Sequence, residues 1–169
     1  MEFIIRETRE TDAYECAAVH VSSWQSAYRG IIPDDVLNNL SIEKQAQRFI
    51  NDYTEYKETL YFVAELDGRI IGNLVVSRCR DEDKAHAGEV IAIYLLEDFW
   101  GKGYGREMID NAVGVIRRME CRKAVIWVLA ENLRARKFYE RCDFVFDGTQ
   151  KAINIGKPLI ELRYSKLLD

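Results

Sequence analysis

A chain of 169 residues, 48% hydrophobic and 31% charged with only two prolines, has the size and balance of one folded domain spanning residues 1–169. Folding at that length buries roughly 70% of the surface that the unfolded chain exposes, so no disulfide or metal staple is needed. A net charge of −4 argues against a general nucleic-acid binder, which needs a basic face to displace the counterions of phosphates.

The first residues include Glu2, Arg6, Glu7, Arg9 and Glu10, charges that a secretion signal's apolar core excludes. No uninterrupted apolar run approaches the length of a membrane span. The expectation is a cytoplasmic protein with neither a membrane nor a nucleic acid as partner. Cys16, Cys79, Cys121 and Cys142 lie far apart without zinc-site spacing and read as free thiols. His20 and His86 are each isolated from a second ligand and read as solvated or structural, so no metal is expected.

In chain order, Phe3-Ile4-Ile5 reads as a short strand, and Thr11 or Asp12 as the cap of a helix with Ala13, Cys16, Ala17, His20 and Trp24 on one face. Pro33 marks a turn, and a second helical stretch covers about 34–56 with a break near Ser41. Asp67-Gly68 joins two strands as a hairpin, because that dipeptide tolerates the positive φ of a tight turn. Residues 80–84 form a charged loop, and 89–96 a mostly apolar strand.

Met108, Ile109, Ala112, Val113, Ile116 and Met119 then recur at helical spacing, residues 124–129 form a buried strand, and Asn132 caps a short helix. Two late strands fall around 144–146 and 159–167. Strand, helix and strand in succession require a parallel pair with a right-handed crossover, whereas the hairpin is antiparallel, so the sheet is mixed.

Trp100-Gly101-Lys102-Gly103-Tyr104-Gly105-Arg106 lies between an apolar strand and an amphipathic helix. Backbone amides there, the positive helix end and the charges of Lys102 and Arg106 suit a phosphate or pyrophosphate; a simple tight turn is the bland alternative. A P-loop needs Ser or Thr after Gly-Lys, where Gly103 stands; a dinucleotide fold needs glycine where Arg106 stands, although Glu131 ends the next strand where a ribose-binding acid could sit, and it stays as a minor alternative.

The run Glu89-Val90-Ile91-Ala92-Ile93-Tyr94-Leu95, followed by residues 99–106, resembles the acetyl-CoA motif of the GNAT N-acetyltransferases, here Trp100-x-x-Gly103-x-Gly105. Val128-Leu129-Ala130-Glu131-Asn132, Ala135 and Phe138-Tyr139-Glu140 resemble the family's later motif. Two departures stand out: Trp100 where the family has Gln or Arg, and Asp143 where it has glycine. Asp143 is expected to tolerate the positive φ of that helix end.

The resemblance implies an α+β fold with one central, mixed, mostly antiparallel sheet of six to seven strands and about four helices. It implies acetyl-CoA as cosubstrate, bound between diverging strands by Ile93, Tyr94, Leu95, Gly101, Lys102, Gly103, Tyr104, Gly105, Arg106 and Asn132. The pantetheine would pair with the backbone of Ile93 and Leu95. Tyr139 is the candidate that stabilises the leaving thiolate, and Glu89 the candidate general base. Arg134, Arg136 and Lys137 could meet the adenosine 3′-phosphate, or form a solvated face.

Trp24, Tyr28 and Tyr164 are candidate walls for a small-molecule amine acceptor. Six acids against three bases in residues 34–58 lean toward a cationic amine such as a polyamine. A protein amino terminus or lysine, or a non-catalytic CoA-binding sensor, are the alternatives. The resemblance allows a homodimer, which no residue pattern here requires.

Overall fold

Asp67 and Gly68 adopt φ of 50° and 81°, the left-handed pair that a two-residue hairpin demands. In this computed structural model, which describes residues 1–84 and 86–168, that hairpin joins two strands of a seven-stranded sheet. The strands are β1 (Phe3–Glu7), β2 (Leu60–Leu66), β3 (Arg69–Arg78), β4 (Ala87–Leu95), β5 (Lys123–Leu129), β6 (Val145–Asn154) and β7 (Pro158–Leu167). Their order is β1-β2-β3-β4-β5-β7-β6, and every pairing is antiparallel except β4 with β5.

Five helices cover the sheet: α1 (Ala13–Ala27), α2 (Asp34–Asn38), α3 (Ile42–Glu55), α4 (Tyr104–Arg118) and α5 (Leu133–Arg141). The expected second helical stretch divides at Ser41, whose hydroxyl accepts from the Lys44 amide at 3.2 Å and caps α3. Asp12 does not cap α1 through its side chain. Its carboxylate instead accepts from the Arg9 amide and from the Arg6 guanidinium, both at 2.8 Å. Asp143 has φ of 65°, the left-handed helix end expected from its place after α5.

On one face of the sheet α4 buries Met108, Ile109, Ala112 and Ile116 against Val90, Ala124, Ile126 and Phe144. Each large side chain so enclosed contributes about 1.5–3 kcal/mol through apolar burial. The opposite face packs Cys16 and Val19 of α1 on Val63 and Ile70, and Leu37 of α2 on Leu129 and Leu159.

Two irregularities open the sheet. β4 and β5 pair only from Ala87 opposite Lys123 to Val90 opposite Ile126, after which the strands run on unpaired. Just there β4 bulges: Val76 faces Val90 and Val75 faces Ala92, leaving Ile91 as an extra residue. Val90 packs on the α4 face, and beyond the bulge so do Ile93 and Leu95, while Tyr94 joins the α1 face.

The β3–β4 connection is fastened across the sheet by Arg163 of β7, only 3% exposed. Its guanidinium donates to Asp81 at 3.0 Å, to Asp83 at 2.7 Å and to Asp147 at 2.8 Å.

Candidate active site

The Leu96 amide donates to the Ile71 carbonyl at 3.0 Å, so Leu96 bonds toward β3. Alternation along a strand then turns the backbone groups of Ile93 and Leu95 away from β3 and into the gap left by β5. The Leu95 carbonyl is engaged there, accepting from Trp100 Nε1 at 2.8 Å. Of the two backbone stations expected for a pantetheine arm, Leu95 therefore lacks a free carbonyl.

Gly101 and Gly103 have φ of 73° and 95°. A Cβ at either would meet no atom within 4 Å, so the requirement for glycine is conformational. Gly103 is the N-cap of α4 and makes no side-chain cap; the Arg106 amide donates to the Gly103 carbonyl at 2.9 Å, which leaves the amides of Tyr104 and Gly105 to an external acceptor. A Cβ on Gly105 would stand 3.3 Å from the Phe138 ring, a close approach that brings α5 beside the loop.

These elements enclose a cavity of about 520 Å³, lined among others by Ile93, Tyr94, Leu95, Gly101, Gly103, Gly105, Arg106 and Asn132. Lys102 and Tyr104 do not line it. The Lys102 ammonium stands 5.6 Å from the Phe99 ring, and the Tyr104 ring packs 4.7 Å from Phe3. Asn132, buried, caps α5 by accepting from the Ala135 amide at 3.2 Å. Arg106 is steadied by Asp110 at 3.2 Å and donates to the Arg141 carbonyl at 2.9 Å.

Arg134 lies 3.4 Å from the centre of the Trp100 ring, inside the cavity. Trp100 is thus a platform for a cation. Arg136 donates to the Tyr164 hydroxyl at 3.1 Å and the Ala130 carbonyl at 2.9 Å, which ties it to the fold.

Tyr139 of α5 and Tyr28, which follows α1, line the same cavity, together with Tyr94. Burial pushes the pKa of all three phenols up. Tyr139 is therefore held protonated at neutral pH. Cys142, 1% exposed, has its thiol pushed up by burial as well, the state of a structural cysteine.

A second cavity, of about 1140 Å³, lies on the α1 and α3 face of the sheet. Trp24 lines it, with His20, Arg48, Phe49, Asn73 and Tyr94. Tyr28 does not, belonging instead to the first cavity, and Tyr94 is the residue shared by both. Tyr164, 1% exposed, donates to Glu140 at 3.0 Å and is a core residue rather than a wall.

The charges around the second cavity are Asp52, Glu55 and Glu58 against Arg48, Lys57, Arg78 and Arg80. Asp34, Asp35 and Glu43, which tilted the local composition, stand elsewhere, so no acidic funnel exists among the described residues.

Glu89, 2% exposed, lines neither cavity. Its carboxylate accepts from Arg80 three times, from Nη2 at 2.7 Å, Nε at 3.1 Å and the backbone amide at 3.2 Å. His20, by contrast, was read as solvated or structural and stands in the cavity wall, stacked 5.2 Å from Trp24 and edge-on 4.8 Å from Tyr94. The available signal was its place one turn before Trp24 on the apolar side of α1.

Comparison with known proteins agrees with this architecture. The profile of the Acetyltransferase (GNAT) family matches residues 18–144. The uncharacterised N-acetyltransferase YuaI of Bacillus subtilis is 30% identical over 129 residues, covering 76% of this chain and 72% of that protein. An uncharacterised N-acetyltransferase of Methanocaldococcus jannaschii is 27% identical over 155 residues, 79% of this chain and 68% of its own. Among solved structures, the PaiA N-acetyltransferase of Thermoplasma acidophilum in complex with coenzyme A superposes with a TM-score of 0.80 at 20% identity, over 99% of this chain and all of that one. YncA of Salmonella typhimurium with acetyl-CoA gives 0.69 at 17% identity, over 99% and 94% of the two chains.

The chain belongs to the GNAT acetyltransferase family. It is an acetyl-CoA-dependent N-acetyltransferase with the mixed, mostly antiparallel sheet of that fold.

Proposed function

We propose that the protein transfers the acetyl group of acetyl-CoA to a primary amine of a small molecule, by direct attack of the amine on the thioester. The observation that carries this reading is the gap between β4 and β5, with one cavity on either side of Tyr94. An acyl donor in the smaller cavity and an amine in the larger one would meet there.

The residues present suit coenzyme A. The open amides of 101–105 at the start of α4 would hold its pyrophosphate, the outward backbone of Ile93 would pair with the pantetheine, and Arg134 on Trp100 adds a cation to the same cleft. The cosubstrate supplies an activated thioester. Tyr139 lies in that cleft with a protonated hydroxyl and donates a hydrogen bond to the departing sulfur. An unperturbed phenol would already spend about 2 kcal/mol to hand its proton to a thiolate, and burial raises that cost, so hydrogen bonding is the role we assign. Glu89 serves by fixing Arg80 at the rim of the acceptor cavity, its carboxylate being saturated by that residue.

The test is release of free thiol from acetyl-CoA with polyamines, aromatic amines, amino acids and amino-terminal peptides, against a control without acceptor. Release with one class of amine, lost in Tyr139→Phe, supports the reading; coenzyme A binding without release from any amine overturns it in favour of a sensor. A peptide amino terminus is the second reading, favoured by the volume of the acceptor cavity, which exceeds what a simple amine fills.

A further inference from the structure

Amine attack on a thioester has a proton to dispose of, and the Glu89 carboxylate is closed to it, buried and held by Arg80. Another basic atom must face the acceptor.

His20 is that candidate on geometry. It lies in the wall of the larger cavity, held by two aromatic contacts, and one of them is Tyr94, the residue that lines both cavities. Its ring nitrogens are bonded to no described residue, yet are not sealed in protein as Trp24 Nε1 and Asn73 Oδ1 are. Of the charged side chains lining this cavity, Arg48 and Asp52 of α3 are joined at 3.6 Å, Arg80 is spent on Glu89 and Arg78 donates to the Met119 carbonyl, while Glu55, Lys57 and Glu58 stand exposed at the end of α3 and just beyond it. His20 is packed directly against Tyr94.

We propose that His20 takes the proton from the attacking amine, directly or through one water, at the point where the two cavities meet; this rests on the transferase reading above. The amine lone pair forms the bond to the thioester carbon, the N–H proton passes to the imidazole and then to solvent through the open cavity, and the carbon–sulfur bond breaks toward Tyr139. Burial, and the Arg48 charge after it, push the His20 pKa down to about 4, so the ring is neutral and able to accept at physiological pH. The proton leaves at the stage when the nitrogen has added to the carbonyl and is more acidic than the free ammonium, which is when a base this weak can take it on to solvent.

The experiment uses thiol release from acetyl-CoA with phenylethylamine, spermidine and an alanine-terminated peptide, taking whichever the wild type acetylates. His20→Gln and His20→Ala are expected to lower kcat about 100-fold, with the KM for acetyl-CoA unchanged and Tm retained in at least the glutamine variant. Added imidazole is expected to restore about tenfold of the loss in His20→Ala and none in His20→Gln, whose side chain fills the space; His86→Gln, on an exposed turn, is expected to behave as wild type. Variants within threefold of wild type, or a loss that imidazole does not relieve in His20→Ala, overturn the role of His20 and leave the transferase reading standing. A wild type that acetylates no amine overturns both.

Discussion

Trp100 Nε1 donates to the Leu95 carbonyl at 2.8 Å, so a side chain of the glycine loop closes a backbone acceptor in the gap where β4 leaves β5. Trp100→Phe keeps a ring for Arg134 and frees the carbonyl for an incoming amide. A neutral hydrogen bond is worth about 1 kcal/mol net, so acetyl-CoA is expected to bind about fivefold more tightly by calorimetry. The opposite change would mean that the indole N–H itself meets the cosubstrate.

Tyr139→Phe removes one hydrogen-bond donor from the cleft without disturbing its walls. It is expected to lower kcat about 10- to 100-fold and leave acetyl-CoA binding unchanged. Because the phenol pKa is pushed up, the ratio of wild type to variant is expected to stay flat from pH 6 to 9. A ratio that falls in that range would show the hydroxyl ionising there.

His20 also makes a prediction about stability that is independent of catalysis. Its folded pKa of about 4 lies below the unfolded value near 6.5, so between those limits the unfolded chain binds the extra proton. Stability therefore rises with pH through that window, is complete above about 6.5, and is lost toward 4, by an amount on the order of 3 kcal/mol. In His20→Gln the Tm between pH 4 and 6.5 is expected to vary less than in the wild type, as thermal unfolding would read.

The Arg80–Glu89 pair is asymmetric: Glu89 is 2% exposed while the Arg80 side chain is 63% exposed. Arg80→Ala strands a buried carboxylate and is expected to cost about 3 kcal/mol in urea unfolding. Glu89→Gln leaves an arginine that water can solvate, and is expected to cost less. Equal costs would contradict the burial difference.

Much of this was legible from residue order. Asp67-Gly68, the period of α4, Asn132 and the positive φ of Asp143 are local decisions, made by turn chemistry, capping and apolar spacing, and each sits where those rules put it. The gap between β4 and β5 was expected from family resemblance. What escaped was tertiary. Ile91 is apolar like its neighbours, so nothing marks it as a bulge. Asp12 has a capping residue's chemistry, but Arg6 and Arg9 compete for its carboxylate. Tyr28 and Trp24, four residues apart on one helical side, part company because Tyr94 stands between two cavities that only the packed α1, α3 and sheet create. The tilt toward acids in 34–58 does not carry over whole into the larger cavity, which takes Asp52, Glu55 and Glu58 from it, since a count along the chain says nothing of which charges converge.

The bulge at Ile91 makes the chemistry of this enzyme a matter of parity. A strand assigns its side chains to two faces by odd and even number, and one additional residue reverses the assignment from there onward. Val90 and Ile93 share a face across an odd interval, and Tyr94 is delivered to the α1 side instead of into the helix behind the sheet. Removing one residue at that point would leave the composition of β4 almost intact while exchanging the tenants of its two sides. The reacting centre is written less in which residues the strand contains than in whether their count from Val90 is odd or even.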